Sequence, residues 1–406
     1  MVFAYFLWSG EAGLQQVVLS MYSTIGSFIF SPLPMFVLLG EVLFVSKIAT
    51  GAIGTIDKLM GRLPGRLGLV ATASGALFAS LTGSSVGSTA MLGAMLTPDM
   101  EERGYKKPMS LGPVMGAGGL AMIIPPSGMA VLIGALAEVS IAQILIAGVL
   151  PGVFLACLYA GYIIGRCALQ PSIAPGYVPA KTSLSEKLVS IVRNVLPFSV
   201  IIFAIIGCIF LGIATPTESA AMGSIAAFIL TAAYGRLKWD LVKQATAGTV
   251  RISAMIFMII GGALVFSQIL SYTGATQGMI RFITSLNLSP FLLIGVMMLI
   301  VLFMGSFMDS VAIMMIVIPI FLPLIWAIGY DPLLFCLLLL VNIETGFLTP
   351  PFGVVLFAMK GVAPPDTTTG DIYKAAAPFV LCNVVAILVI MLIPQIALWL
   401  PNIMKT

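Results

Sequence analysis

Four polar interruptions in an apolar chain hold the residues that could do chemistry. Residues 83–90, Gly-Ser-Ser-Val-Gly-Ser-Thr-Ala, set Gly83 and the hydroxyls of Ser84, Ser85, Ser88 and Thr89 between two apolar arms, about 67–82 and 86–98. Residues 305–310, Gly-Ser-Phe-Met-Asp-Ser, place Gly305, Ser306, Asp309 and Ser310 in similar surroundings. The other two are Pro-Pro breaks, Ile124-Pro125-Pro126-Ser127-Gly128 and Thr349-Pro350-Pro351-Phe352-Gly353. Each proline removes a backbone donor and biases the residue before it away from helix. A helix broken at membrane depth exposes N–H and C=O groups that lipid cannot satisfy. Such a break persists only when buried in protein or lining a wet cavity. Carbonyl and hydroxyl oxygens there suit a hard cation such as Na+. Half-helix N-termini suit a carboxylate or sulfonate. An ionised Asp309 inside a membrane segment is costly and calls for a cation, a proton or a basic group beside it. It could carry a coupling ion, cap the following helix, or do both. Asn342, Glu344 and Thr345 precede the second break and could line the same cavity; Glu344 could equally make an interhelical hydrogen bond.

The composition sets the environment. The chain has 406 residues, 60% hydrophobic and 8% charged, against about 25% charged in average soluble proteins. It is an all-α polytopic membrane protein. Plentiful glycine (41) and proline (25) suit helices that pack closely and break. Histidine is absent, which excludes imidazole metal ligands and His-dependent catalysis. Gly83–Gly87 fits Gly-x-Ser-x-Gly, but that motif needs a strand–turn–helix setting and a His partner. An intramembrane enzyme is therefore disfavoured, and the lack of Gly-x-x-x-x-Gly-Lys-Ser/Thr argues against an ATP-driven pump. The five cysteines have no metal-ligand spacing. The net charge of +4 fits basic cytoplasmic loops rather than a nucleic-acid surface. Met1–Trp8 lacks the basic flank and cleavage site of a signal peptide.

The elements that must position these residues follow from the apolar runs. A helix at about 33–48 carries Glu41, which we place at an interface with a partner or between subunits. A basic connector (Lys58, Arg62, Arg66) leads into a re-entrant hairpin, then a discontinuous helix at about 109–139 and a span at about 141–167. The polar stretch Gln170–Arg193 divides the chain. The second half holds a span at about 196–213, then Thr215-Pro216-Thr217-Glu218-Ser219 with Glu218 as a helix-start carboxylate. A basic connector (Arg236, Lys238, Lys243) precedes a helix at about 250–270, a second hairpin, the second broken helix and a last span at about 375–399.

The halves repeat. Phe36–Ile48 aligns with Phe257–Ile269, offset 221 (257 − 36); Gly83–Ala90 with Gly305–Ala312, offset 222 (305 − 83); and Pro125–Gly128 with Pro350–Gly353, offset 225 (350 − 125). Repeats whose paired elements are broken helices point to a secondary transporter with its sites near the bilayer midplane, and such repeats are commonly inverted. The first half lacks a counterpart of the helix at about 196–213.

Gly83–Leu92, Arg103-Gly104-Tyr105, Ile123–Ser127, Ala214–Ala220, Gly305–Asp309 and Thr349–Gly353 together resemble the large membrane subunit of tripartite ATP-independent periplasmic (TRAP) transporters. The resemblance covers nearly the whole chain from about Pro34. It implies an elevator-type, Na+-driven permease of the ion-transporter superfamily in the bacterial inner membrane. Its partners would be membrane lipid, a periplasmic substrate-binding protein that delivers a small organic anion, and a small four-helix (Q) subunit. The moving halves would be 67–139 and 290–363, against scaffold segments 1–66, 140–289 and 364–406. Na+ would bind Gly83, Ser84, Ser85 and Ser88 with Pro125 and Ser127, and Gly305, Ser306 and Asp309 with Thr349 and Pro350. Substrate would meet Ser85, Thr89, Pro126, Ser310, Asn342, Glu344, Thr345 and Pro351. The first tip has Gly87 and Ser88 where many members have Ala and Asp, so it lacks a carboxylate. A stand-alone Na+/dicarboxylate symporter of the same superfamily is the competing reading.

Overall fold

The computed structural model describes residues 10–404 except 47, 49, 62, 83, 177–182 and 287. Met1–Trp8, Arg62 and Gly83, singled out above, lie outside the described residues. Among those described, every regular element is a helix.

In the first half, α1 (Glu11–Gly26), α2 (Pro32–Ser46) and α3 (Thr50–Leu59) lead into a hairpin of α4 (Arg66–Thr82) and α5 (Ser85–Glu102). The helices α6 (Lys107–Gly119) and α7 (Gly128–Leu136) flank the first Pro-Pro break, and α8 (Ile141–Ala147) and α9 (Val149–Leu169) follow. Next come α10 (Leu184–Asn194), α11 (Leu196–Phe210) and α12 (Pro216–Ala233). The second half continues with α13 (Trp239–Tyr272), α14 (Ala275–Ser285) and a hairpin of α15 (Pro290–Gly305) and α16 (Ser310–Ala327). The helices α17 (Pro332–Phe347) and α18 (Val354–Val362) flank the second break, before α19 (Thr369–Leu392) and α20 (Gln395–Ile403). Among the described residues five helical stretches are long and apolar enough to cross a membrane, one of them α8 and α9 together; α10 and α11, bent by 48°, could together make a sixth.

Within the dividing stretch Ser183 and Glu186 form a capping box that starts α10, as reciprocal side-chain bonds satisfy the free N–H groups of a helix start. Two expectations need correction. The basic connector ends at Lys238, because α13 begins at Trp239 and runs 34 residues. Leu241, Ala245, Thr249, Ser253, Ile256 and Ile260 are all buried, so one helical stripe continues through Lys243 and carries that lysine on the exposed side. The last apolar run is interrupted at Ile393-Pro394, where proline ends α19 for want of a backbone donor.

The repeated pairs α4/α15, α5/α16, α6/α17 and α7/α18 interlock. Within each half the first hairpin arm packs on the first part of the broken helix, α4 on α6 and α15 on α17. Between halves the second arm packs on the other half's post-break helix, α5 on α18 and α16 on α7. Glycines set the closeness of these contacts. A Cβ on Gly346 would lie 2.5 Å from the Gly305 Cα, so α15 and α17 touch backbone to backbone. The ring of Phe379 on α19 fills the space beside Gly112 and Gly116 of α6. A second group, in which α2 packs against both α12 and α13, and α11 against α12, meets the first through α2 on α4 and α13 on α16.

Replacing Gly346 with alanine must push two backbones apart, whereas Gly295 on the same hairpin has open space beside it. Overpacking of this kind costs about 1–3 kcal/mol. Thermal unfolding in detergent should show a clear loss for Gly346→Ala and none for Gly295→Ala.

Candidate functional site

Three helices begin at one place, each started by a polar side chain in extended backbone. Ser84 (φ −128°, ψ 115°) caps α5, its Oγ accepting from Gly87 N at 3.2 Å. Ser127 (φ −114°, ψ 121°) caps α7; its Oγ accepts from Ala130 N at 3.3 Å and donates to Met122 O at 2.8 Å across the first break. Asp309 (φ −72°, ψ 153°) caps α16, its Oδ2 accepting from Val311 N at 3.0 Å. The capping role read for Asp309 is thus realised. A helix start has four N–H groups without intrahelical partners, and the three starts bring such groups to a common space.

That space is a cavity of about 390 Å³. Ser84, Ser85 and Gly87 line it from the first hairpin, Asp309 and Ser310 from the second, and Pro126 and Gly128 from the first break. The facing wall is α2, with Phe36, Glu41 and Phe44, and α13, with Ile252 and Met255. Its charged lining residues are Glu41 and Asp309; among the described residues no lysine or arginine lines it. Glu41 therefore faces the cavity rather than an outer interface. It is half-buried where α2 meets α13, and a Cβ on Gly248 would lie 2.7 Å from its Oε2.

The remaining candidates divide. Ser85 is a largely buried part of the lining and donates to Glu344 Oε2 at 2.5 Å, so the interhelical bond of Glu344 is real and joins the two repeats. Ser88 and Thr89 are buried one turn further along α5. Pro125 is buried beside Pro126, the two joined by a cis peptide bond. Gly305 packs on Gly346, and Ser306 Oγ donates to Phe303 O at 2.8 Å, back into its own helix. Asn342 Nδ2 donates to Met298 O at 2.6 Å and ties α17 to α15. Thr345 and Thr349 donate to Val341 O and Thr345 O, each at 2.7 Å, within α17 and at its end. Pro350 and Pro351 are exposed and lie away from the cavity lining; the Tyr373 hydroxyl donates to Pro351 O at 2.7 Å. The second break thus contributes only Phe347, from the end of α17, to this cavity. Glu218 sits where a helix-start carboxylate belongs. Its Oε2 accepts from Thr215 N at 2.8 Å and its own N–H donates to Thr215 Oγ1 at 3.3 Å.

Two glycines of the site were not singled out from sequence. A Cβ on Gly118 would fall 1.9 Å from Thr89 Oγ1, and one on Gly119 would fall 2.6 Å from Glu344 Oε1. The repeat carried the signal: at the offset of the Pro-Pro breaks, Gly119 is the counterpart of Glu344 (344 − 225).

A multi-pass helical fold with paired broken helices and a cavity where three helix starts meet is the build of a secondary transporter. The solved Alcanivorax borkumensis YdaH transporter superposes with a TM-score of 0.69 over 98% of this chain and 91% of that one, at 14% identity, a likeness of fold. The family "Tripartite ATP-independent periplasmic transporter, DctM component" matches residues 1–396, and the chain belongs to it. It is a multi-pass permease of the inner membrane. The C4-dicarboxylate TRAP transporter large permease DctM of Pseudomonas aeruginosa is 30% identical over 392 residues, covering 96% of this chain and 90% of that protein. The isethionate TRAP transporter permease DctMQ of Oleidesulfovibrio alaskensis is 28% identical, covering 96% of this chain and 61% of that protein.

The two breaks differ in how their hydroxyls are used. Ser127→Ala removes both a cap and the bond to Met122 O in a buried setting, a loss of about 1–2 kcal/mol. Thr349→Ala removes one bond within its own segment, worth at most about 1 kcal/mol. Denaturation of the two variants in detergent should rank them in that order.

Proposed function

We propose that the chain is the permease of a Na+-coupled uptake system for a small organic acid anion, a carboxylate or a sulfonate. A periplasmic binding protein delivers the cargo and a small four-helix subunit completes the membrane complex. The observation that carries this reading is the cavity itself: three helix starts converge on it, and its charged lining residues are two carboxylates. Helix N-termini attract anions through free N–H groups and the positive dipole end, roughly half an elementary charge each. The volume of about 390 Å³ lies within the range of small-ligand sites, about 300–1,000 Å³. The named relatives carry a C4-dicarboxylate and isethionate, a carboxylate and a sulfonate.

Charge supports the coupling ion. An anion entering beside Asp309 and Glu41 adds negative charge to negative charge. At an effective dielectric of about 20, two like charges about 4 Å apart repel by about 4 kcal/mol. Among the described residues no basic side chain on the lining offsets this, so cations entering with the cargo would supply the balance. The donor set of serine hydroxyls, helix-tip carbonyls and Asp309 is all oxygen, which suits Na+.

Movement fits the packing. The cavity lies between the interlocked hairpins and broken helices on one side and α2 and α13 on the other. We assign 67–139 and 290–363 to a block that slides as one body past the second group, an elevator motion. The seating of Phe379 against Gly112 and Gly116 ties α19 to that block, so Thr369–Leu392 joins it rather than the scaffold segment 364–406 that the resemblance implies.

In vesicles containing the full complex and its binding protein, uptake should fall by about tenfold or more, or about 1.4 kcal/mol, when Na+ is replaced by choline. Equal uptake in choline would overturn the reading. Asp309→Asn should raise the Na+ concentration for half-maximal uptake, while Glu218→Gln should leave it unchanged.

A further inference from the structure

The first hairpin tip lacks a carboxylate of its own: residues 84–90 carry hydroxyls and no acid, whereas the second tip has Asp309. A cation site built from neutral oxygens alone would leave the two tips electrostatically unequal. The structure places a third carboxylate directly behind the first tip. Glu344 is fully buried, comes from the other repeat, and has no ion-pair partner among the described residues. One of its oxygens, Oε2, accepts a hydrogen bond from the Ser85 hydroxyl at 2.5 Å. The other, Oε1, is buried against Gly119 with no hydrogen-bond partner. Thr89 Oγ1, one turn beyond Ser85, is likewise buried without one.

We infer that Glu344 supplies the negative charge of a monovalent cation site at the first tip, acting through Ser85. This rests on the Na+-coupled reading above. With its proton committed to Glu344, Ser85 Oγ keeps only lone pairs for the cavity it lines. A hydroxyl that donates to a carboxylate is polarised and becomes a stronger oxygen ligand. The carboxylate in turn gains the positive charge that its burial demands. The orphaned oxygens fit this: Glu344 Oε1 and Thr89 Oγ1 form no bond that would spend the charge elsewhere. Gly118 and Gly119 leave the room in which both side chains sit. Glu344 is thus a positioning residue, and the tips become equivalent in charge, Asp309 acting directly and Glu344 through one hydroxyl.

The test is a Na+ titration of the purified permease with its small subunit in detergent. NaCl replaces choline chloride at constant ionic strength, and the rise in unfolding temperature is read. Glu344→Gln keeps an acceptor for Ser85 and removes only the charge. It should raise the half-effective Na+ concentration by about tenfold or lower the apparent number of Na+ ions by one. Glu344→Asp should stay nearer the parent protein. Ser85→Ala should match Glu344→Gln, and the double variant should be no worse than either, since residues acting through one contact are not additive. A purely structural bond would lower the unfolding temperature of Glu344→Gln at every Na+ concentration and leave the titration midpoint in place; that result overturns the inference. If Glu344→Gln does not fold, an unchanged midpoint in Ser85→Ala overturns it. A parent protein that does not respond to Na+ overturns the inference together with the coupling it rests on, whereas a responsive parent with unshifted variants overturns the inference alone.

Discussion

A backbone N–H left without an acceptor at membrane depth costs several kcal/mol, and this constraint organises the whole molecule. Each broken helix creates such groups, so each break needs a cap, a covering element or water. Ser84, Ser127 and Asp309 satisfy part of the demand at three helix starts. What they leave unsatisfied is turned toward a shared cavity. The start of α18 differs: Gly353 gives it no side-chain cap, and Pro350–Phe352 beside it are exposed. Of the four helices that start after a tip or a Pro-Pro break, the three with side-chain caps line the cavity and the uncapped one does not. The site is thus a consequence of where the helices break and how each break is closed.

The same constraint explains the interlocking of the halves. A hairpin whose arms are short exposes its tip unless other elements cover it, and here the cover for α5 and α16 includes the post-break helix of the opposite half, α18 and α7. Close approach is required for such cover, hence glycine at Gly305 and Gly346 and at Gly112 and Gly116. Packing without a hydrophobic driving force depends on this closeness and on buried hydrogen bonds. Asn342 to Met298 O and Ser85 to Glu344 are bonds of that kind. Cross-packing also ties each hairpin to the other half's broken helix, which is what the proposed single sliding body requires.

Most of this fold was legible in the sequence because polar residues and Pro-Pro pairs stand out against an apolar background. The hairpin arms, both breaks, the repeat and the cap at Glu218 all carried local signals. What was not legible depends on the third dimension. The assignment of Glu41 to an outer interface rested on its having no partner along the chain, yet α2 turns it toward tips more than forty residues away. Gly118 and Gly119 looked like ordinary close-packing glycines, and only their neighbours show which side chains need the space. The resemblance implied that both Pro-Pro breaks would meet the tips. Phe352 of the second break does meet Phe307 of the second tip, their rings 5.5 Å apart, yet the surroundings differ, since Pro126 is buried at the cavity and Pro351 is exposed. Sequence symmetry gives equal elements, not equal environments.

The acidic residues around the cavity define what can move through it. In the proposed motion Asp309 and Glu344 travel with the sliding block, while Glu41 stays on α2. A block bearing two unpaired carboxylates would drag both charges past an apolar wall of Phe36, Phe44 and Met255, at the cost that attends charges in low dielectric. Cargo alone makes this worse, because it is itself an anion. Cations alone neutralise the carboxylates but leave the free N–H groups of three helix starts facing apolar surface. Only the block that holds both has its carboxylates balanced and its helix starts occupied. In the proposed motion, coupling would need no separate gate: the states that cross would be those in which every charge and every backbone donor has a partner.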